Sequence, residues 1–332
     1  MNHIANTSPV FFLLGVQTVA IALANELSKI AFVQIDPILV AWWRMGFTAL
    51  IMMMWRRPFS SDKRKNLPHD RKTWIVLAVL GVATAGMNSV FYIAINSLNS
   101  GVATAIEFIG PLVVAVWTGR SWREYLGAGL AFVGLLVLAG TSIFSLGPSS
   151  VPGLVAIITS GALWGLYIVL GRQVAHGGNG LDNLALSMTM GWILQSVLLA
   201  KSAVEGVIRP ARTATWAKES DGAVKLVALM LVIALLASIV SYVMDQILMR
   251  RVTASRFSVM QAVLPAVNLV VSLVFGDRPV LLDYVGVAII IFAVVVSFSS
   301  DEDPLPSHDL THRHHVGLHE EDGSVEEIDI PD

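Results

Sequence analysis

Apolar runs of about twenty residues recur along the chain with short polar breaks between them, and they predict helices long enough to cross a bilayer. Ten such runs cover 10–30, 37–55, 74–96, 101–118, 124–142, 151–171, 184–200, 225–247, 254–275 and 280–298. Inside hydrocarbon every backbone N–H and C=O needs an internal partner, so continuous apolar runs read as helices. The fold class expected is therefore an all-α membrane protein. The seventh run is the shortest, and the eighth starts least distinctly, because Lys201 to Lys225 mixes polar and apolar residues. The first run also resembles a secretory leader, with Ala22-Leu23-Ala24 as a small-residue cleavage step. No Lys or Arg precedes it and the run continues to Lys29, which favours a first span.

The pattern is duplicated. Pro111 in the fourth run matches Pro265 in the ninth, 154 residues on, and each is followed by an acid-Tyr-x-Gly step. These steps are Glu124-Tyr125-Leu126-Gly127 and Asp283-Tyr284-Val285-Gly286, 159 residues apart, so the second half carries five extra residues between proline and step. Each half holds five spans, an odd number, so the halves are expected to be inverted relative to each other, with a site near the midplane between them. The organisation predicted is a short cytoplasmic N-terminus (1–9), a first five-span repeat (10–142), a second (151–298) and a tail (299–332).

Charge orients this arrangement. Thirteen Lys/Arg lie in or beside the even connections: Arg56, Arg57, Lys63, Arg64, Lys65, Arg71, Lys72, Arg120, Arg123, Arg172, Arg250, Arg251 and Arg256. Six lie in or beside the odd ones, five of them around the seventh connection and the last Arg278. The bias places the even connections, and with them both termini, in the cytoplasm. A composition that is 55% hydrophobic and 14% charged excludes an ordinary soluble domain. The formal charge of −2 hides a split. Residues 1–300 hold 21 of the 22 basic and 13 of the 24 acidic residues, net +8, whereas 301–332 hold 11 acids and Arg313, net −10. That tail, with His308, His312, His314, His315 and His319, is too polar to offset chain entropy and is expected to be disordered. A specific metal site needs a fixed geometry that such a tail lacks, so no metal is expected there. The chain has no cysteine, which removes disulfides and thiolate chemistry. It carries no Walker loop, dinucleotide glycine fingerprint, His-Glu-x-x-His or nucleophile elbow, which argues against an ATP-driven pump or an enzyme. No cofactor and no nucleic-acid partner is expected.

The candidate chemistry is the charge inside the spans. Glu26 and Lys29 fall in the outer third of the first span, Arg44 ~10 Å and Glu107 ~9 Å from the outer ends of the second and fourth. Four charges at overlapping depths sum to zero. Intramembrane charges are costly and mark ion or substrate paths, although Glu107–Arg44 and Glu26–Lys29 also fit structural ion pairs. Asp245 is a further acid, near Arg250 and Arg251, for which interfacial pairing is the simpler account. Gln261, four residues before Pro265 as Glu107 is before Pro111, can bond a substrate or a neighbouring helix but carries no proton. Asn88, Tyr92, Trp164, Trp42 and Trp43 are candidate cavity residues, while Trp55, Trp74 and Trp122 fit interfacial anchors. Gly127, Gly129 and Gly134 fit close helix packing.

Particular steps resemble a known family. Gly86-Met87-Asn88, Phe91-Tyr92, Ala105-Ile106-Glu107-Phe108-Ile109-Gly110-Pro111-Leu112, Leu27-Ser28-Lys29, Arg44 and Trp164-Gly165-Leu166-Tyr167-Ile168-Val169 resemble the EamA branch of the drug/metabolite transporter superfamily. They are most similar to the threonine/homoserine exporters. The resemblance spans about 10–298 and implies a ten-span, inverted-repeat carrier of the bacterial inner membrane that exports small amino acids or related metabolites in exchange for protons. Two positions depart from the family pattern: Leu264 stands where a Glu often precedes the ninth-span proline, and Gly276-Asp277 replaces a Gly-Glu step, with Gly119-Arg120 as its counterpart in the first half.

On this reading Arg44 takes the cargo carboxylate through its planar fork, and Glu107 takes the amino group or a proton. Substrate contacts are expected at Arg44, Glu107, Asn88, Tyr92, Gln261 and Trp164, proton coupling at Glu107, Glu26 or Asp245, and hinges at Pro111 and Pro265. The expected partners are an amino acid, protons and the bilayer, with oligomeric state left open. A transporter of another metabolite or drug fits the same fold, as does a receptor or scaffold that uses the tail to recruit a partner.

Overall fold

The computed structural model describes residues 2–63, 67–95, 98, 103, 106–140, 150–177, 179–208, 216, 221–274 and 280–299. The described elements are helical throughout, with no strand among them. In order they are α1 (Asn2–Gln34), α2 (Pro37–Arg56), α3 (Arg71–Ile95), α4 (Ile109–Thr118), α5 (Trp122–Ala139), α6 (Val151–His176) and α7 (Gly180–Ile208). There follow α8 (Gly222–Arg251), α9 (Ala254–Gln261), α10 (Val263–Val274) and α11 (Leu281–Phe298). Among the described residues nine helical stretches are long and apolar enough to cross a membrane, α9 and α10 counting as one, and α4 is a shorter apolar tenth.

Local chemistry sets the ends. Asp36 accepts from the Ile38 amide to cap α2, Pro37 fills the first turn where no N–H is needed, and Arg57, at φ 46°, closes the helix in the left-handed region. Ser121 caps α5 and Thr253 caps α9 through the Arg256 amide. The repeated acid-Tyr-x-Gly step has the same use in both halves. Glu124 turns back to accept from the Arg120 amide at 3.0 Å, and Asp283 from the Val280 amide at 2.8 Å. Each acid thus satisfies an orphan donor at the start of its half's fifth helix.

Helix packing crosses between the halves. α1 lies against α8 and α10, while α6 lies against α3 and α4, and α5 pairs with α11 along its length. Small residues permit the closest approaches. A Cβ at Gly127 would meet the Ala293 carbonyl at 2.9 Å, and one at Gly134 the Gly286 carbonyl at 3.0 Å. Gly129 faces open space and takes no part in this contact. Gly110 and Gly161 bring α4 and α6 together so closely that a Cβ on Gly110 would lie 1.7 Å from the Gly161 carbonyl.

The basic residues of the even connections gather at one end of the helices. Arg56 reaches Asp182 at 2.6 Å and Lys63 joins it, tying the end of α2 to the start of α7. Arg256 pairs with Glu124 at 3.3 Å, Arg123 donates to the Ser299 carbonyl, and Arg172 donates to the carbonyls of Met249 and Val252. At the opposite end the Trp216 amide donates to Gln34 at the end of α1.

Several boundaries differ from expectation. The seventh span, expected at 184–200 and shortest, is the 29-residue α7. Lys201 and Glu205 depress the local hydropathy, yet they sit on an exposed face while Ala203 and Val207 stay buried and carry the helix on. Helix begins at Asn2, within the expected cytoplasmic N-terminus. Ala22 and Ala24, the leader-like step, are buried in the middle of α1. α8 contains a π-helical turn, Leu235–Val240, which hydropathy does not register. The fourth span, expected at 101–118, begins partly outside the described residues, and the tail from 300 onward lies wholly outside them.

Replacing Gly161 with Ala puts a methyl group 2.5 Å from the Glu107 carbonyl. The variant is expected to lose about 1–3 kcal/mol of stability through overpacking, read as a lower melting midpoint in detergent. At the start of α3 the Asp70 carboxylate accepts from the Thr73 amide at 2.7 Å, and that bond holds its pKa below the usual carboxylate value. A depressed carboxylate stabilises the fold above its unfolded-state pKa, so this cap is complete above about pH 4 and fades as pH falls through the lowered value. Hydrogen exchange at the Thr73 amide should follow that course in the wild type and be fast at every pH in Asp70→Ala.

Candidate functional site

Two broken helices frame the buried polar groups. Proline has no N–H, so Pro111 leaves the Glu107 carbonyl without its helical partner, and Pro265 does the same to Gln261. The chain answers alike in both places. A single turn residue, Phe108 or Ala262, interrupts the helix three positions before the proline, and α4 or α10 starts immediately after it. Glu107 and Gln261 are the last residues before these breaks, which places both side chains among neighbouring helices. They are 8% and 4% exposed.

Around Glu107, Ser160 of α6 lies 2.6 Å from a carboxyl oxygen and 3.1 Å from the Met87 carbonyl of α3. Phe108 next to it packs edge-on against Trp164, ring centres 5.4 Å apart. Arg44, 6% exposed on α2, donates to the Tyr92 hydroxyl at 2.9 Å and lies over the Tyr92 ring, 5.2 Å from its centre. Phe32 packs on the same ring edge-on, and Ser28 of α1 stands 3.5 Å from its hydroxyl. One turn back on α3, Asn88 donates to the Tyr242 hydroxyl of α8 at 2.8 Å and to the Thr84 carbonyl. Tyr242 packs against Tyr167, ring centres 5.7 Å apart. Tyr167 in turn donates to Asp245 at 2.8 Å. Gln17 of α1 and Gln261 complete the shell of Asp245, donating to its other oxygen at 2.6 and 3.1 Å.

The sequence candidates therefore fall into separate groupings. Asp245 does not pair with Arg250 or Arg251. Five and six residues along a helix are about 140° and 120° around its axis, so those arginines leave from other faces. The proposed ion pair between Glu107 and Arg44 is likewise not formed: Glu107 bonds Ser160, and among the described residues Arg44 has no carboxylate partner. Glu26 and Lys29 pair with each other at 2.8 Å along α1, Lys29 being half exposed, so the four charges do not meet at one point. Gln261 is spent on Asp245. Trp42 and Trp43 reach Ser196 and the Ala203 carbonyl, which makes them fasteners between α2 and α7. Trp55 and Trp122 are exposed as interfacial anchors would be, whereas Trp74 donates to the Pro68 carbonyl.

Sequence reasoning missed Gln17, Ser160, Tyr167 and Tyr242 as members of the site. A lone amide inside an apolar run was the available signal for Gln17. Tyr167 lay within the Trp164–Val169 step, where only the tryptophan drew notice. Two grooves beside α4, about 490 Å³ against α5 and about 540 Å³ against α6, are walled by apolar side chains such as Val113, Val116 and Trp117. The buried polar groups line neither groove. Among the described residues no cluster has the His, Asp or Glu content to hold a metal ion.

Membrane-crossing helices around a buried line of charged, hydroxyl and amide groups, with a broken helix facing it from each half, define a multi-span membrane transporter. The EamA-like transporter family model matches the chain twice, over residues 8–146 and 151–299, and the chain belongs to that family. It is a multi-pass protein of the bacterial inner membrane. It is 25% identical to the threonine/homoserine exporter RhtA of Escherichia coli K12 over 238 residues, 70% of this chain and 71% of that one. It is 24% identical to the transporter YyaM of Bacillus subtilis over 280 residues, 82% of this chain and 88% of that one. A protein of known crystal structure shares the fold, with a TM-score of 0.64 at 15% identity over 89% of this chain and 97% of its own.

Proposed function

We propose that the protein is a secondary active exporter of small zwitterionic amino acids of the threonine or homoserine kind, driven by proton exchange. The observation that carries this reading is Arg44. A guanidinium has five N–H donors and a permanent charge, and here it is buried with the Tyr92 hydroxyl and ring as its contacts and no counter-ion among the described residues. An uncompensated cation at such a depth calls for an anion, and an α-carboxylate fits the planar fork. The resemblance to RhtA supports a threonine-like cargo.

Glu107 supplies the proton site in this reading. The Ser160 hydroxyl has one hydrogen but two acceptors within reach, the Met87 carbonyl and Glu107. Both contacts become hydrogen bonds when Glu107 carries a proton and donates to Ser160, which then donates to Met87. An arriving cargo ammonium takes the place of that proton. Asn88, Tyr92 and Trp164 line the path between Arg44 and Glu107. Pro111 and Pro265 serve as hinges, α4 moving into the grooves on its flanks, and the two five-helix repeats rock as inverted halves about the site. The basic end of the helices faces the cytoplasm, along with both termini.

The test is L-threonine accumulation in proteoliposomes under an imposed pH gradient. Wild type should concentrate threonine. Glu107→Gln should lose the gradient-driven part by about tenfold or more, the usual scale for a positioned proton carrier. Arg44→Lys keeps the charge but not the fork, and should raise the half-saturating threonine concentration by about tenfold. Uphill threonine transport by Glu107→Gln at the wild-type rate would overturn the proton role.

A further inference from the structure

The second half also holds a buried acid, and it sits in the place that corresponds to Glu107. Gln261 stands before the break at Ala262 as Glu107 stands before the break at Phe108. Where the first half carries its carboxyl on the broken helix, the second receives one from α8. Asp245, 4% exposed, accepts from Gln261 at 3.1 Å, from Gln17 at 2.6 Å and from Tyr167 at 2.8 Å. The groups that face it are an amide from α1, an amide from α9, the Tyr167 phenol from α6 and, one turn away on its own helix, Tyr242. None is basic, and Asp245 forms no ion pair among the described residues.

The shell can satisfy the acid in both of its protonation states. Three donors serve the carboxylate. Gln17 is 1% exposed, and its carbonyl oxygen has no partner. Rotating that amide offers the oxygen to a protonated Asp245 and turns a donor contact into an acceptor contact of the same length. The Tyr167 hydroxyl is equally able to donate or accept. A buried acceptor left without a donor beside an unpaired carboxylate is what a site awaiting one more hydrogen looks like.

We propose that Asp245, with Gln17, Tyr167 and Gln261, is a second proton-binding site, so that each half of the transporter carries one exchangeable proton. The step is a plain transfer: hydronium gives its proton to the Asp245 carboxylate and leaves as water, and the reverse occurs on release. Ser160 and Tyr167 are seven residues apart on α6, two turns along one face, about 10.5 Å. One face of one helix therefore bonds both acids, Ser160 to Glu107 and Tyr167 to Asp245. A shift of α6 changes the surroundings of both together, which ties the two protons to one conformational cycle. This rests on the transporter reading above.

The protein in lipid membranes is examined by infrared difference spectroscopy between acid and alkaline buffer, and for threonine uptake under a pH gradient. The wild type should show carboxyl C=O bands from two buried acids. Asp245→Asn should lose one band and Glu107→Gln the other, and Asp245→Asn should lower gradient-driven uptake by about tenfold. The double variant Asp245→Asn/Gln261→Glu moves the carboxyl across the same hydrogen bond and should regain band and uptake together, which a merely structural Asp245 would not. A wild-type spectrum unchanged in Asp245→Asn overturns the proposal, as does a double variant that melts like wild type but regains neither signal. If the Asp245 band behaves as expected while wild type carries no threonine, the cargo assignment fails and the proton site stands.

Discussion

Charge buried in hydrocarbon must find its complement inside the protein, and the interior of this one is arranged around that demand. The acids are satisfied by neutral donors: Ser160 serves Glu107, while two amides and a phenol serve Asp245. Arg44 is handled otherwise, by a single aromatic residue that supplies both a hydroxyl and a ring face. Hydroxyl and amide partners can exchange donor for acceptor roles, which a fixed salt bridge cannot. The result is an interior that is polar and connected yet not locked by ion pairs, a condition suited to groups that change charge during work. The ion pairs that join different helices lie elsewhere, at the basic end, where Asp182 and Glu124 hold Arg56, Lys63 and Arg256, while Glu26 and Lys29 pair within α1.

Proline and glycine make this interior accessible. Pro111 and Pro265 interrupt two helices at matching points, and Glu107 and Gln261 stand just before the two breaks with their side chains buried. The Glu107 carbonyl is accommodated because Gly161 opposite has no side chain. The break and the close approach depend on each other: a bulkier residue at 161 would push α4 away and carry Glu107 from Ser160.

Much of this was legible in the sequence. Ten apolar runs, the matched prolines, the acid-Tyr-x-Gly steps and the intramembrane charges Arg44 and Glu107 are features of composition and spacing. What escaped was partnership across long separations. Gln17 and Asp245 are 228 residues apart, and Tyr167 and Asp245 are 78 apart, so nothing local announces either bond. Arg250 and Arg251 look like Asp245's natural partners in a linear reading, because a string of letters hides the turn of the helix that sends them elsewhere. Helix ends were misjudged for a related reason. Lys201 and Glu205 lower a hydropathy average, but an average does not know that both point outward from α7.

The pairing of α5 with α11 has a further meaning. These are corresponding helices, the fifth of each half, and they meet through corresponding small residues, Gly127 and Gly134 on one side and Gly286 on the other. Like surface meeting like surface is the geometry of an isologous contact between two copies of one subunit. Within one chain the two like surfaces meet in a fixed one-to-one ratio, and the halves can differ in sequence, as they do at Glu107 and Gln261, while each keeps its partner.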